Sequence, residues 1–456
     1  MLGGTKYHAL RVDDTKCFGC THCMQVCPTE AIRIRSGLAE VNNRRCVDCG
    51  NCMRACPANA IYILQDDLRQ IDHFRYRVAL FPSVMIGQFP EEISDNQIYG
   101  ALLQLGFTHA FEVEQPIAWL MDEMKRYESD QAVRRPVISS FCPAIVRLIQ
   151  IKYPDLVGNI MPLKAPHELA ANYVREELIA QGAQSAEIGI FYIAPCSAKI
   201  AAVRDPMVGD GGIISGVINM DSLYNRVMSL LAQNPKVATL SFREGISREG
   251  ILWPLTRGEA RLFKRRSMAV DGIHNVTTIL EKVESEQLSD IDFLELRSCD
   301  QSCAGGILVS GNRFLTAERL KRRVQRYPRA SEVFSNSLHK EKIKPQLRIG
   351  KIEQSDAFQL HGDRDKALER MTRMEQIICQ LPGIDCGGCG APNCHALAED
   401  IVTGQARMTD CVHLLQRWQS EGKITASRAF SRLERIWGNG RFVADCNKRG
   451  ARNEGF

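Results

Sequence analysis

Cysteines are the residues of this chain that are best suited to chemistry, because sixteen of its eighteen cysteines fall into three groups with metal-ligand spacing. One group is a doubled run near the N-terminus, another lies near the C-terminus, and the third consists of four cysteines that are far apart in sequence. Thiolates at such spacings hold iron–sulfur clusters. The outer groups therefore predict electron transfer, and the middle group predicts the place where the electrons are used.

The N-terminal run repeats one motif, CxxCxxC followed by Cys-Pro, which is the pattern of two-cluster bacterial ferredoxins. In that pattern the fourth cysteine of each run binds the other cluster. The expected ligands of cluster one are Cys17, Cys20, Cys23 and Cys56, and those of cluster two are Cys46, Cys49, Cys52 and Cys27. Zinc sites use two CxxC pairs instead, so the spacing favours iron–sulfur clusters over zinc.

The C-terminal group resembles a single-cubane module of redox enzymes, with a structural zinc site as the alternative. Its cysteines are Cys386, Cys389, Cys394 and Cys411. Glycines between the first of them would let the backbone approach a cluster closely. A helix predicted over residues 394–407 would bring Cys411 back to the others. Cys379 and Cys446 lack ligand spacing and are predicted to be free cysteines.

The elements that must position the central cysteines read as α/β. Short apolar runs at 78–81, 137–140, 188–193 and 293–296 predict strands, and helical patterns alternate with them. Cys142, Cys196 and Cys299 each closely follow one of these candidate strands. Ligands bind outside the carboxyl ends of strands in open α/β sheets, so these cysteines are expected to converge. Helices are also predicted near 144–151, 223–231, 366–376 and 427–437.

The segments around the central cysteines resemble the three signature segments of the [FeFe]-hydrogenase catalytic domain. They read Phe141-Cys142-Pro143, Pro195-Cys196-Ser197-Ala198-Lys199 and Cys299-Asp300-Gln301-Ser302-Cys303. The resemblance implies a [4Fe-4S] cubane held by Cys142, Cys196, Cys299 and Cys303. It further implies that Cys303 bridges to a [2Fe] subsite with CO, CN and a bridging dithiolate, and that cubane and subsite together form the H-cluster.

Other residues match the same family. Pro82 and Ser83 resemble the segment that contacts a cyanide, and Lys199 matches the lysine that pairs with the other cyanide. A buried charge needs a partner, which an iron-bound cyanide would supply. Glu295 matches a family glutamate, with a purely structural carboxylate as the equal alternative.

Several positions depart from the family. Phe141 replaces the cysteine whose thiol relays protons, and Arg297 stands where a methionine is usual. Gln301 and Ser302 replace two glycines. His167 replaces a glutamine near the cluster and is a candidate proton relay, with a structural histidine as the alternative. The family's two proton-path glutamates are not both preserved in the stretch Met121–Glu128.

Taken together, the sequence predicts an α/β catalytic domain with cysteine ligands at strand ends, a small N-terminal α+β ferredoxin-like domain and a small C-terminal cluster-binding domain. The expected boundaries are 1–66 for the two-[4Fe-4S] ferredoxin-like domain, 77–347 for the H-cluster domain, 348–376 for a linker, 377–420 for the [4Fe-4S] domain and 421–456 for a helix and basic tail. The C-terminal domain is expected to fold by itself around its metal.

The leading functional hypothesis is a [FeFe]-hydrogenase with ferredoxin-type electron carriers, which interconverts protons and electrons with dihydrogen at low turnover. One alternative is an H-cluster hydrogen sensor that acts through a partner protein, since the C-terminal cubane resembles one found in divergent hydrogenases proposed to sense hydrogen. Another is an electron-transfer or assembly protein with only a cubane at the central site. The expected cofactors are four [4Fe-4S] clusters and the [2Fe] subsite.

Composition narrows the expected partners. A formal net charge of +5 over 456 residues is small and does not argue for nucleic acid. No long apolar stretch or signal peptide is recognisable, and the CxxC clusters suit a reducing cytoplasm. A redox partner, either a ferredoxin or another electron-transfer subunit, is expected, together with a signalling partner in the sensor alternative.

Overall fold

The computed structural model describes residues 7–206, 212–234, 246–333 and 343–442. The chain forms two compact units. The first comprises Met1–Cys46, Gly50–Tyr62 and Ser355–Phe456, and the second comprises Val47–Cys49 and Ile63–Gln354. Cys446 and most of the predicted basic tail lie outside the described residues.

The strands in chain order are β1 (Leu10–Val12), β2 (Ile32–Arg35), β3 (Leu38–Val41), β4 (Ile61–Ile63), β5 (Tyr76–Phe81), β6 (His109–Glu112), β7 (Val137–Ile138), β8 (Ile188–Ala194), β9 (Gly216–Asn219), β10 (Ser267–Asp271) and β11 (Phe293–Arg297).

The α-helices are α1 (His22–Gln25), α2 (Asn51–Ala55), α3 (Asp95–Gln104), α4 (Ile117–Ser129), α5 (Pro143–Lys152), α6 (Pro166–Ala180), α7 (Ser197–Arg204), α8 (Met220–Gln233), α9 (Arg248–Leu252), α10 (Ile273–Glu284), α11 (Arg313–Arg323), α12 (Ala330–Val333), α13 (Arg364–Ile378), α14 (Cys394–Val402), α15 (Val412–Ser420) and α16 (Ala426–Trp437).

The second unit is built on two parallel sheets. One has the strand order β6-β5-β8-β9 and the other has the order β10-β11-β7. All seven residues of β8 are buried, which suits an apolar strand inside a parallel sheet with both faces covered. The crossover helices α5, α6 and α7 surround these strands, so the unit is the α/β structure that the sequence predicts.

The first unit joins both ends of the chain. Strands β2 and β3 form an antiparallel hairpin, and helices α1 and α2 follow similar loops in the two halves of the N-terminal repeat. Each loop reaches its helix through a residue with positive φ, Thr21 at 74° and Gly50 at 82°. The C-terminal helices α13 to α16 belong to this same unit. The C-terminal segment and the ferredoxin-like segment therefore belong to one compact unit, and folding of the C-terminal segment by itself around its metal stays a prediction.

Most predicted elements are present, with shifted ends. Strand β7 stops at Ile138, two residues earlier than predicted. The helix predicted over 394–407 ends at Val402, because Gly404 adopts φ of 80° and turns the chain. Strands β6, β9 and β10, each four or five residues long, were not predicted.

Candidate functional site

The four central cysteines line one cavity with an empty volume of about 430 Å³. Three of them follow strand ends, as predicted from the sequence: Cys142 comes after β7, Cys196 after β8 and Cys299 after β11. Cys142 and Cys196 also stand directly before helices α5 and α7. The partial positive charge at a helix N-terminus favours a thiolate there.

The loop from Cys299 to Cys303 has an unusual backbone. Gln301 and Ser302 have φ of 60° and 52°, a region that favours glycine. Asp271 stabilises this conformation, since its carboxylate accepts hydrogen bonds from the Ser302 backbone nitrogen at 3.1 Å and from Ser302 Oγ at 2.9 Å. The geometry gives a physical reason for the two glycines that the family resemblance expects between these ligands.

Close packing holds the third and fourth cysteines against the second. The Leu308 nitrogen donates a hydrogen bond to the Pro195 carbonyl at 3.0 Å. A Cβ atom on Gly306 would overlap that same carbonyl oxygen. Glycine at 306 therefore lets the Cys303 loop approach the segment before Cys196, so that both cysteines reach one cavity.

Lys199 supplies a positive charge at this cavity. Its Nζ lies 3.5 Å from Cys303 Sγ, and the side chain lines the cavity with the cysteines. Burial lowers the pKa of Lys199, but the negative charge of neighbours, led by Cys303, outweighs burial and raises the pKa above its usual value. A lysine that stays charged beside a cysteine thiolate suits an anionic metal group.

The thiols themselves fit a bound cluster. Burial raises the pKa of Cys196 to about 12 and also raises that of Cys142. Such thiols do not ionise by themselves at neutral pH, whereas coordination to iron deprotonates them. Four cysteines around one cavity therefore fit a [4Fe-4S] cubane. Cys49, an expected ligand of ferredoxin-like cluster two, lines the same cavity.

The ferredoxin-like segment gathers the cysteines of cluster one. Burial, with the charges of Cys20, Cys17 and Cys56 next in weight, raises the pKa of Cys23 to about 12. Cys56 from the second run thus lies near three cysteines of the first run, which is the exchange of ligands that the pattern predicts. Of the cysteines expected at cluster two, Cys46 and Cys52 are buried and Cys27 is partly buried.

Backbone amides point at three thiols of this segment. The Ala31 nitrogen donates to Cys27 Sγ at 3.2 Å, and the Ala60 nitrogen donates to Cys56 Sγ at 3.2 Å, at the same offset in each half of the repeat. The Ala39 nitrogen donates to Cys17 Sγ at 3.4 Å. Hydrogen bonds to sulfur are among the features that set cluster reduction potentials.

The C-terminal cysteines also come together. Burial raises the pKa of Cys389 to about 11, with the charges of Cys411 and Cys386 adding to it, and Cys411 interacts with Cys394 in the same way. Cys394 begins α14 and Cys411 directly precedes α15. Cys386 is exposed, whereas Cys389 and Cys411 are buried. Cys379 is an exposed free cysteine at the end of α13.

The loop that carries Cys386 and Cys389 packs on the ferredoxin-like hairpin. The Ile34 nitrogen donates to the Gly390 carbonyl at 2.8 Å. A Cβ atom on Gly387 would lie 3.1 Å from Cε of Met24, which follows Cys23 in sequence. The loop of the C-terminal cysteines therefore packs next to Ile34 of the hairpin and next to Met24, the residue after Cys23.

Buried ion pairs fix this arrangement. Arg33 Nε and Arg35 Nη2 each lie 2.8 Å from Asp400 Oδ2, and Arg45 pairs with Glu399. Both acids are buried residues near the C-terminal end of α14. Breaking a buried pair leaves an uncompensated charge, so these contacts define how the two segments dock.

Family models match three parts of the chain. Residues 76–229 match the iron only hydrogenase large subunit, C-terminal domain. Residues 9–67 match a 4Fe-4S dicluster domain, and residues 381–413 match a putative Fe-S cluster domain. The last two matches contain the whole N-terminal and C-terminal cysteine groups, whereas the first contains Cys142 and Cys196 but not Cys299 or Cys303.

Residues 76–229 are thus similar to the iron-only hydrogenase large-subunit family.

Known proteins are similar over parts of the chain. It is 24% identical over 318 residues to the NADP-reducing hydrogenase subunit HndD of Solidesulfovibrio fructosivorans, covering 66% of this chain and 49% of that protein. It is 49% identical over 39 residues to a subunit of the Na(+)-translocating ferredoxin:NAD(+) oxidoreductase complex of Acetobacterium woodii, covering 9% of this chain and 12% of that protein. The chain thus spans about half the length of HndD and a smaller part of the other relative.

Solved structures of [FeFe]-hydrogenases are also similar. A variant of HydA1 from Chlamydomonas reinhardtii aligns with a TM-score of 0.47 at 17% identity, covering 63% of this chain and 98% of that chain. The structure of HydA(deltaEFG) aligns with a TM-score of 0.46 at 15% identity, covering 63% and 98%. Among the described residues, every helix is too short or too polar to span a bilayer.

The surroundings of Ser83 depart from what the family resemblance implies. The Ser83 nitrogen donates to Glu114 Oε2 at 2.9 Å, and the Ser83 hydroxyl oxygen lies 2.7 Å from Glu112 Oε2 and 3.1 Å from Glu114 Oε2. Pro82 is buried between β5 and this residue. The donors that the resemblance assigns to a cyanide are thus engaged by two carboxylates, so Lys199 and Cys303 fit a diiron subsite better than Ser83 does.

Phe141 occupies the position at which the family that this chain resembles usually has a cysteine. It lines the central cavity, is 2% exposed, and packs against Trp253 with ring centroids 5.5 Å apart. An aromatic pair at this position excludes water and offers no group that can hold a proton.

Arg297 brings a second cation to the cavity lining. It is paired with Glu259, and its Nε lies 3.8 Å from Glu295 Oε1. Glu295 Oε2 accepts hydrogen bonds from the nitrogens of Glu259 at 2.9 Å and Ala260 at 2.8 Å. These backbone contacts favour the structural interpretation of Glu295.

The other expected proton-transfer residues are poorly placed for that role. His167 stacks on Tyr192 with ring centroids 5.0 Å apart, and its Nε2 has no hydrogen-bond partner among the described residues. Burial, helped by the charge of Lys199, lowers the pKa of His167 to about 3, so the ring is neutral at physiological pH. Glu123 is ion-paired with Arg126 at 3.0 Å and with Arg348 at 2.6 Å.

Sequence reasoning missed the buried acids Glu112, Glu114 and Glu259, and the arginine Arg323 that pairs with Glu112. Isolated acidic residues carry no spacing signal and are usually exposed. Their position was the one available signal, because Glu112 is the last residue of β6 and Glu114 follows two residues later, at the carboxyl end of a strand.

Proposed function

We propose that this chain is an iron–sulfur oxidoreductase that interconverts dihydrogen with protons and electrons at its central cysteine site, at a low rate. The observation that supports this best is the convergence of Cys142, Cys196, Cys299 and Cys303 on one cavity, with Lys199 Nζ 3.5 Å from Cys303 Sγ. An H-cluster bound there would supply the hydrogen chemistry, and the protein would hold and tune it.

The residues of the chain have separate parts in this proposal. The four cysteines would hold the cubane, and Cys303 would also hold the diiron subsite. Lys199 would compensate negative charge on that subsite. Phe141 and Trp253 would keep water from the cavity, at the cost of removing the usual proton relay. Slow proton supply is the physical reason to expect a low rate, which would also suit hydrogen sensing through a partner.

Electrons would reach the site through the other clusters. Cys49 lines the central cavity, so cluster two is the expected immediate donor. The C-terminal cluster would exchange electrons with cluster one, next to which its loop packs, and the exposed Cys386 would face a redox partner. HndD is named as a subunit of a larger hydrogenase, and a ferredoxin or another electron-transfer subunit is the partner proposed here.

A second candidate is electron transfer at a central cubane without a diiron subsite. The contact that favours it is the engagement of both Ser83 donors by Glu112 and Glu114, which leaves neither donor free for a cyanide. Both candidates need the same four cysteines. They differ in whether iron-bound carbonyl and cyanide are present.

Infrared spectroscopy after anaerobic production with the maturation machinery tests the proposal. Carbonyl and cyanide bands are expected, with about 18 irons per chain, because four cubanes contribute about 16 and the subsite about 2. Absence of these bands, with about 16 irons, would select the cubane-only candidate. Fewer than about 12 irons would contradict the cluster assignments themselves.

Substitution of one cysteine tests the site. Cys303→Ala is expected to abolish the infrared bands and hydrogen turnover while the clusters of the first unit keep their paramagnetic resonance signals. Cys379→Ala is the matched control, because Cys379 is exposed and outside every cluster. Wild-type bands and turnover in Cys303→Ala would overturn the central assignment.

A further inference from the structure

Two buried carboxyl groups meet at Ser83. Glu112 ends strand β6 and is 0% exposed, and Glu114 is two residues farther and 2% exposed. Ser83 Oγ lies within hydrogen-bond distance of both, at 2.7 Å from Glu112 Oε2 and 3.1 Å from Glu114 Oε2. One hydroxyl therefore links two acids in the segment that the family resemblance places at the cluster.

The two acids have different partners. Glu112 accepts hydrogen bonds from Arg323, at 3.0 Å from Nη1 and 2.6 Å from Nη2, and also from the Tyr99 hydroxyl. Arg323 in turn contacts Asp95 at 2.9 Å, and the side chain of Asp95 is 22% exposed. For Glu114, the described part of the chain offers hydrogen bonds from Ser83 alone and no ion pair.

The difference in hydrogen-bond and ion-pair partners determines which of the two glutamates holds a proton. Burial, together with the nearby charge of Glu112, raises the pKa of Glu114 to about 7, although Ser83 and Lys199 act in the opposite direction. The charged or titratable groups that interact with Glu114 are Glu112, Lys199 and Tyr192. Two acids whose surroundings differ in this way divide the roles of proton holder and fixed charge.

Lys199 connects this acid pair to the central cavity. It interacts electrostatically with Glu114 and lies 3.5 Å from Cys303 Sγ. The usual relay position is the apolar Phe141, and Glu123 is ion-paired with two arginines. Glu114 is thus a buried acid near the site that has no ion pair among the described residues and can exchange its proton.

We propose that Glu114 carries the proton for the central site, in place of the thiol that Phe141 has replaced. The proposal rests on the proposed hydrogen chemistry. Glu114 as a carboxylic acid releases one proton toward the Lys199 side of the cavity and becomes a carboxylate. A proton from solvent, passed through the Ser83 hydroxyl, restores the acid, while Glu112 stays a carboxylate held by Arg323. No electron passes through these groups, and each turnover returns them to their starting state.

Glu114→Gln, which keeps the shape of the side chain and removes the proton, is the direct test. Glu168→Gln is the matched control, because burial also raises the pKa of Glu168 to about 7 and Glu168 takes no part in the Ser83 network. Infrared spectra in H₂O and D₂O, on the full chain with its cubanes, read out a protonated buried carboxyl independently of hydrogen turnover. The band assigned to Glu114 is expected at pH 6, is expected to fade by pH 9, and is expected to be missing from Glu114→Gln alone.

In protein with a full diiron signal, Glu114→Gln is expected to lower turnover about 10²-fold or more, the usual contribution of a positioned acid. Turnover within about twofold of wild type, at equal diiron signal, would overturn the proposal, since such a loss is far below that contribution. Persistence of the band in Glu114→Gln would overturn it too. Ser83→Ala serves if Glu114→Gln does not fold: it should keep the band and still lose turnover, and unchanged turnover would overturn the relay.

Protein without carbonyl and cyanide bands would refute the proposed function but would still decide the role of Glu114. A proton holder coupled to the central cubane makes its reduction potential depend on pH. That dependence is expected in wild type and in Glu168→Gln, and its absence in Glu114→Gln would support the proton-holding role. An equal pH dependence in all three proteins would overturn it.

Discussion

Substitution of Arg297 tests how the second unit compensates the charges of its buried glutamates. The substitution Arg297→Met restores the residue type that the family usually has. In this chain, however, it leaves Glu259 and Glu295, both 0% exposed, without their cation. Removing one partner of a buried ion pair costs about 3–5 kcal/mol, because the remaining charge is uncompensated. A change toward the family residue is therefore expected to destabilise the protein.

The pH dependence follows from Glu259. Burial, opposed by Arg297, raises the pKa of this carboxyl from 4.5 to about 7. The folded state then binds a proton that the unfolded state releases, so stability falls as pH rises between these values. The fall is about 1.36 kcal/mol for each unit by which folding raises this pKa. Without Arg297 the pKa rises further and the fall continues above pH 7, whereas near pH 5 the variant and wild type converge.

Thermal unfolding of anaerobically reconstituted protein at pH 5.5 and pH 8 measures both effects. A loss of about 3–5 kcal/mol corresponds to a lowering of Tm by about 6–20 °C for a unit of this size. Arg313→Met is the matched control, because its pair with Asp300 at 2.6 Å is 44% and 50% exposed. Exposed pairs contribute about 0–1 kcal/mol, so that variant should unfold almost like wild type.

The double variant Arg297→Met/Glu259→Gln separates charge from packing. It removes one of the two stranded carboxylates and should recover a large part of the loss at pH 8. Equal Tm values for Arg297→Met and wild type at pH 8 would refute the reasoning. So would a loss that is the same at pH 5.5 and pH 8, since packing alone would then account for it.

Two further substitutions probe the first unit and the relay position. Gly390→Ala should lower the stability of the first unit by about 1–3 kcal/mol, because the added Cβ would overlap the Ile34 carbonyl. Gly404→Ala is the control: Gly404 has φ of 80° and no atom lies within 4 Å of its added Cβ, so this variant reports the cost of backbone conformation alone. Equal Tm values for the two variants would contradict the docking contact. Phe141→Cys should raise hydrogen turnover by up to about 10²-fold at equal diiron signal, and Phe141→Ser, which removes the ring without adding a thiol, should not match it.

The sequence was most informative for the cysteines, whose spacing is typical of metal ligands. The CxxC runs predicted the gathering of Cys17, Cys20, Cys23 and Cys56, because the ligand pattern itself defines which cysteines must meet. Apolar runs predicted the parallel strands that bring the central cysteines to one cavity, because a buried strand must be apolar on both faces. The predicted ligand roles of these cysteines stay predictions until metal is measured.

Contacts between distant segments could not be predicted in the same way. Arg33 and Asp400 are 367 residues apart, and neither belongs to a periodic pattern. Their pairing holds the C-terminal segment to the ferredoxin-like hairpin, a contact that no spacing in the sequence indicates, and the expected domain boundaries stay a prediction. Buried acids were missed for a related reason: a glutamate in a sequence is read as exposed, and only the fold shows that Arg323 lies beside Glu112.

The altered proton-transfer positions bear on each other. The absence of a thiol at Phe141, taken alone, would only impair proton transfer. The ion pairing of Glu123 would then be unrelated to that change. The chain shows both changes together with a buried acid, Glu114, that lacks an ion pair among the described residues and interacts with Lys199. Under the proposed hydrogen chemistry, a moved proton site would account for these three features together, and the infrared signature of Glu114 is the measurement that tests it.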